Sequence, residues 1–123
     1  MDKRIKHILI IDDSPDDRFI AKKMLEKKNY IVDEAEGAEE ALMKIKQGNI
    51  DLILLDLVMP DMDGLELLEM IRKLLKVPIV IYSCSSFHDP KECMQKGSNA
   101  FIPKYEDPAI LVHKVEELLL EAA

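Results

Sequence analysis

The sequence predicts an α/β fold, a single (βα)5 doubly wound parallel sheet, on three observations. Short apolar runs alternate five times with stretches of helical periodicity. Runs linked in this way form parallel strands, because right-handed crossovers through helices cover both faces of one sheet. Polar chemistry also gathers where the strands end: Asp12-Asp13, Asp56, Ser83 and Lys104 sit at or just past four different apolar runs. Open parallel sheets bind ligands at the carboxyl ends of their strands. These groups are therefore expected to meet in one acidic pocket with a single hydroxyl and a single ammonium.

Each element has its own local signal. The first strand covers residues 7–12, and a helix follows in which Ser14 is the cap, Pro15 the first residue and Asp17 the partner in a capping box. Ile20, Met24 and Leu25 are expected to face inward from that helix. A weaker strand spans 30–35. Ala38, Ala41, Leu42 and Ile45 then carry helical spacing, with Gly48 as the stop. The third strand, 52–56, runs into a loop at 59–64. Leu67, Leu68, Ile71, Leu74 and Leu75 form the next helical stripe, closed by Pro78 at the head of the fourth strand, 78–83.

Asp89-Pro90 reads as the cap and first turn of a fourth helix that ends near Gly97. That helix is short and polar, with Cys93 and Met94 as its main apolar residues. The fifth strand, 100–104, contains Pro103, which lacks a backbone donor and so belongs on a sheet edge. Asp107-Pro108 opens the last helix, with Leu111, Val115, Leu118 and Ala122 on one side.

The 123 residues make one domain, 1–123. A chain of this size buries roughly two-thirds of its unfolded surface, enough for a core without staples. The net charge of −7 disfavours nucleic acid, whose phosphates call for lysine and arginine. Two cysteines, Cys84 and Cys93, support neither a disulfide framework nor a four-ligand zinc site. His7, His88 and His113 have no metal-ligand spacing. With no signal peptide or long apolar run, the expectation is a cytoplasmic protein that does not enter membranes.

Three carboxylates within about 4–6 Å repel by roughly 4 kcal/mol per pair at an effective dielectric near 20. They must be partly protonated or share a cation. Asp12, Asp13 and Asp56 offer few ligands, all oxygen, which suits Mg2+ keeping several waters. Helix capping is the plainer reading of the acidic pair, and a solvated strand end that of Asp56. With a metal to neutralise phosphoryl oxygens, Asp56 can act as a nucleophile on phosphorus. Ser83 can donate to one phosphoryl oxygen and Lys104 can neutralise another.

In order and spacing, Asp12-Asp13, Asp56 with the segment 55–64, Ser83 and Lys104 resemble the receiver domain of two-component response regulators. The resemblance spans the chain and implies a flavodoxin-like, CheY-like fold with strand order 2-1-3-4-5. It implies that Asp56 is the phosphoacceptor, taking its phosphoryl group from a phosphohistidine on a sensor histidine kinase or phosphotransfer protein. Asp13, Asp56 and the backbone carbonyl of Val58 would bind Mg2+, and Asp12 would hold a metal-bound water. Ser83 and Lys104 match the hydroxyl and lysine that grip the phosphoryl oxygens. Ser83 and Phe101 match the switch positions, with the fourth helix, fifth strand and fifth helix as the responding surface; filling core beside Ile102 is the plainer reading of Phe101. Catalysis in such a domain is limited to its own phosphorylation and dephosphorylation, so it is not an ordinary enzyme.

The chain departs from the pattern after Lys104, where Tyr105 replaces a proline that the family joins through a cis bond. Cis costs about 2.5–4 kcal/mol at a non-proline residue, so a trans bond is expected. Val58 and Ser85 match positions bordering the route of attacking water, and Cys84 reads as a small residue leaving room for the phosphoryl group, with oxidation sensing as the alternative if it is exposed. A phosphatase of the haloacid-dehalogenase type is the enzymatic alternative, but it calls for an Asp-x-Asp pair after the first strand. A receiver that is never phosphorylated is the other alternative. A flavin fits poorly, because the acidic loop 12–17 cannot cradle a bare phosphate. Expected partners are the kinase or phosphotransfer protein and a downstream target or an output domain after Ala123. The expected state is a monomer or weak dimer, without direct nucleic-acid binding.

Overall fold

Strands and helices alternate five times in a computed structural model of the chain, which describes residues 4–84 and 88–122. In chain order they are β1 (His7–Ile11), α1 (Pro15–Glu26), β2 (Ile31–Ala35), α2 (Ala38–Gln47), β3 (Leu52–Leu55), α3 (Gly64–Leu74), β4 (Ile79–Ser83), α4 (Pro90–Gln95), β5 (Ala100–Pro103) and α5 (Pro108–Ala122). All neighbouring strands pair in parallel, in the order β2-β1-β3-β4-β5. Pro103 thus lies on an edge strand, where its missing N–H breaks no ladder.

The central strands are near-continuous apolar runs because both their faces are covered. Leu9, Ile11, Ile53, Leu55, Ile79 and Ile81 pack with residues of α2, α3 and α4. Ile8, Ile10, Leu52, Leu54 and Val80 pack on the other face with α1 and α5. Period-2 alternation within each strand divides its side chains between these two cores.

Several helix faces differ from those the periodicity predicts. On α1, Ala21 and Leu25 are buried and Met24 packs at the margin, whereas Ile20 is 53% exposed. The small Ala21 lets α1 lie close to the sheet and rolls Ile20 outward. On α5, Leu119 joins Leu111, Val115 and Leu118 in the core, and Ala122 is exposed. On α3, Leu65 replaces the exposed Leu74 in the buried stripe. Helix α4 has one buried residue, Cys93, with Met94 half exposed.

The caps expected at Ser14 and Asp89 form, their side chains accepting from the N–H groups of Asp17 and Lys91, and Asp63, in the expected loop, also caps α3 through the Leu65 N–H. Gly37, at the head of α2, has no capping side chain. Asp61 supplies the acceptor from the β3–α3 loop, taking the Ala38 N–H at 3.0 Å. A Cβ on Gly37 would lie 2.6 Å from that carboxylate, so only glycine admits it without a shift.

Arg72 is a tie that no local pattern signals. Its guanidinium donates to the carbonyls of Leu75 at 3.1 Å, Val77 at 2.8 Å and Gly97 at 2.7 and 2.9 Å, and to Asn99 Oδ1 at 2.9 Å. One planar fork therefore joins the end of α3 to the entry of β4 and to the α4–β5 turn. Arg72→Lys, which keeps the charge but not the fork, is expected to lower stability by about 1–3 kcal/mol in urea unfolding. Gly64→Ala is expected to cost roughly 1–3 kcal/mol in the same assay, because the new Cβ would land on the Leu57 backbone.

Candidate functional site

The sheet ladder continues one rung past the strands and delivers the site's residues. The Asp12 N–H donates to the Ala35 carbonyl at 3.0 Å, and the Asp56 N–H to the Ile11 carbonyl at 2.9 Å. The Lys104 N–H donates to the Ser83 carbonyl at 3.2 Å. Backbone pairing thus places Asp12, Asp56, Ser83 and Lys104 at one edge, and all four are buried.

Both buried carboxylates are oriented by short local turns. Asp12 Oδ1 accepts from the Ser14 N–H at 2.9 Å, and Asp56 Oδ1 from the Val58 N–H at 3.1 Å. Their Oδ2 atoms turn to Lys104 Nζ, at 2.7 Å from Asp12 and 3.0 Å from Asp56. Asp13 is exposed at the rim, and ligand atoms of Asp12, Asp13 and Asp56 all lie within 4.8 Å of one another.

A third carboxylate also reaches Lys104. Asp17 Oδ2 stands 2.8 Å from Nζ, and the Tyr105 hydroxyl donates to Asp17 at 3.0 Å. The capping box expected at Asp17 is therefore only half made. Ser14 Oγ accepts from the Asp17 N–H at 3.2 Å, but the Ser14 N–H goes to Asp12 and the Asp17 carboxylate to Lys104. An ammonium is a stronger partner for a carboxylate than a neutral N–H.

Burial works against the charge on Lys104, but hydrogen bonds from its ammonium to Asp12 and Asp17 and the nearby charges hold its pKa well above the ordinary value. Burial also pushes the Asp12 carboxyl up, despite the Lys104 contact. Asp17 is pushed up by burial too, yet the bonds from Lys104 and Tyr105 bring it below the usual carboxylate range. Asp12, Asp17 and Asp56 thus surround one ammonium, and Asp13 adds a fourth carboxylate beside Asp12 and Asp56. The excess of negative charge and the hard oxygen donors of the 12, 13 and 56 cluster fit a small divalent cation such as Mg2+.

The other predicted positions fall around this cluster. Val58 is exposed beside Asp56, and its N–H is the one Asp56 accepts. Phe101, half-buried on β5, packs against the core shared by α2, α3 and α4. Cys84 is exposed just past Ser83, and Ser85 lies outside the described residues. The Lys104–Tyr105 bond is trans, as its non-proline residue requires, and Tyr105 takes a left-handed φ of 65°. No helix among the described residues is long and apolar enough to cross a membrane.

A five-stranded parallel sheet with a lysine among acidic groups at its carboxyl edge defines a class. Residues 8–116 match the model of the response regulator receiver domain, and the chain belongs to that family, the receivers of two-component signalling. It is 36% identical to the transcriptional regulatory protein ResD of Bacillus subtilis (strain 168), over 94% of this chain and 49% of ResD. The chain thus spans about half of that relative's length.

Among solved structures it resembles a CheY-like receiver domain protein from Methanospirillum hungatei JF-1, with a TM-score of 0.90, 34% identity and 97% of each chain covered. It also resembles the response regulator TrrA of Thermotoga maritima in complex with Mg2+ and BeF, at a TM-score of 0.85 and 34% identity over 93% of this chain and 99% of that one.

Mg2+ at millimolar concentration is expected to raise the melting temperature of the protein, and EDTA to reverse the gain. Asp13→Asn should melt higher than wild type without metal, because one repelling charge is gone, and gain less from Mg2+. Parallel thermal melts with and without the ion check both expectations.

Proposed function

We propose that the chain is a phosphoacceptor switch in which Asp56 takes a phosphoryl group from a phosphohistidine. The observation that carries this reading is the buried Asp56 carboxylate with Lys104 Nζ 3.0 Å away. An Asp56 oxygen attacks phosphorus, the P–N bond to the imidazole breaks, and its electron pair stays on the ring nitrogen. Lys104 offsets the charge of the phosphoryl oxygens, and the Ser83 hydroxyl donates to one of them. Asp13, Asp56 and the Val58 carbonyl would hold Mg2+, with Asp12 on a metal-bound water. The ion, when bound, supplies neutralising charge to the phosphoryl oxygens. In the return step water attacks phosphorus and the P–O bond to Asp56 breaks, which restores the carboxylate.

The signal leaves through α4, β5 and α5 as Ser83 is drawn toward the phosphoryl group and Phe101 changes its burial. The thin anchorage of α4, with Cys93 as its one buried residue, supports this choice of surface. Upstream partners are a sensor histidine kinase or a phosphotransfer protein. Downstream lies a target protein or an output domain. Incubation with acetyl phosphate and Mg2+ is expected to give a phosphoryl adduct by intact mass, lost in Asp56→Asn and in EDTA. No adduct, together with no response to beryllofluoride, would overturn the reading in favour of a receiver that works unphosphorylated.

A further inference from the structure

An ammonium has three N–H donors and no acceptor. At Lys104 all three have carboxylate partners: Asp12 at 2.7 Å, Asp17 at 2.8 Å and Asp56 at 3.0 Å. Asp12 and Asp56 belong to the acidic cluster with Asp13, whose charge a divalent cation would offset. Asp17 is not in that cluster. It stands in the first turn of α1, a helix otherwise joined to this edge of the site by the Arg18 bond to the Asp12 carbonyl.

Asp17 is itself held in place. The Tyr105 oxygen lies 3.0 and 3.3 Å from its two carboxylate oxygens. The Tyr105 residue is 73% exposed and its backbone sits at a φ of 65°, where bulky side chains are rarely found. From that backbone position its hydroxyl reaches the Asp17 carboxylate. Lys104 and Tyr105, adjacent in sequence, thus close on the same carboxylate.

We infer that Asp17, held by Tyr105, is a positioning residue that competes with the phosphoryl group for Lys104. This rests on the phosphoacceptor reading above. With its donors all engaged, Lys104 can grip a phosphoryl oxygen only by loosening one carboxylate. Asp17 is the partner whose charge lies outside the cation cluster, so its pull on the ammonium persists when that cluster is neutralised. Its charge also repels an incoming dianion. Both effects restrain phosphorylation, and a neutral residue at position 17 removes both.

The test is beryllofluoride binding in Mg2+, followed by calorimetry, on wild type, Asp17→Asn and Tyr105→Phe. A second readout is the Lys104 ammonium resonance of the metal-free proteins by nitrogen-15 NMR, which a change in helix stability alone would not move. Asp17→Asn is expected to bind beryllofluoride about tenfold more tightly, and Tyr105→Phe about threefold, with the Lys104 resonance shifted in both. Tyr105→Phe leaves α1 intact, so the result does not depend on Asp17→Asn folding well. Uptake at unchanged or weaker affinity in the variants overturns this inference alone. No uptake by wild type overturns the phosphoacceptor reading and this inference with it, even if the metal-free lysine resonance shifts in the variants.

Discussion

Burying carboxylates at the end of an apolar sheet is unfavourable unless a positive charge meets them, and Lys104 is that charge. Removing one partner of a buried ion pair typically costs about 3–5 kcal/mol, because the other charge is left uncompensated. Here the lysine answers Asp12, Asp17 and Asp56 together. The edge of the sheet can therefore remain folded without a metal. The same charge that stabilises the resting site is the one a phosphoryl group would claim. In the proposed switch, stability and signalling would draw on one ammonium.

The rest of the fold holds that edge in place. Two apolar cores sandwich the sheet, and the ladders run one rung past the strands to fix the Asp12, Asp56 and Lys104 backbones. Close backbone approach at Gly64 and the reach of Asp61 to the head of α2 set the course of the loop after Asp56. Arg72 does the same for the turn into β5. These ties are strong around α2 and α3 and thin on α4. Rigidity sits beneath Asp56, and compliance on the face proposed to report its state.

Much of this was legible in the residues. The helix caps at Ser14 and Asp89 are local chemistry, and the short apolar runs of β1 and β3, alternating with helical stretches, read as strands buried on both sides. Less legible were the helix faces. Periodicity placed Ile20 inward on α1, but the small Ala21 sits against the sheet and Ile20 faces water. A period says that one stripe is buried without saying how far the helix is rolled. Arg72 gave no signal either, since its acceptors are carbonyls that carry no sequence identity.

By itself, the sequence determined the α/β order, the family and the meeting of Asp12, Asp13, Asp56, Ser83 and Lys104. The order and the meeting follow from local periods and from the rule that parallel strands gather their carboxyl ends on one side; the family follows from the resemblance those residues carry in order and spacing. Only the tertiary structure decided what Asp17 does. In the sequence it is a capping residue; in the fold it binds a lysine 87 positions away and the tyrosine after it. A side chain with two available partners takes the one with more charge, and that partner came within reach only when the fold brought the residue after β5 to the first turn of α1.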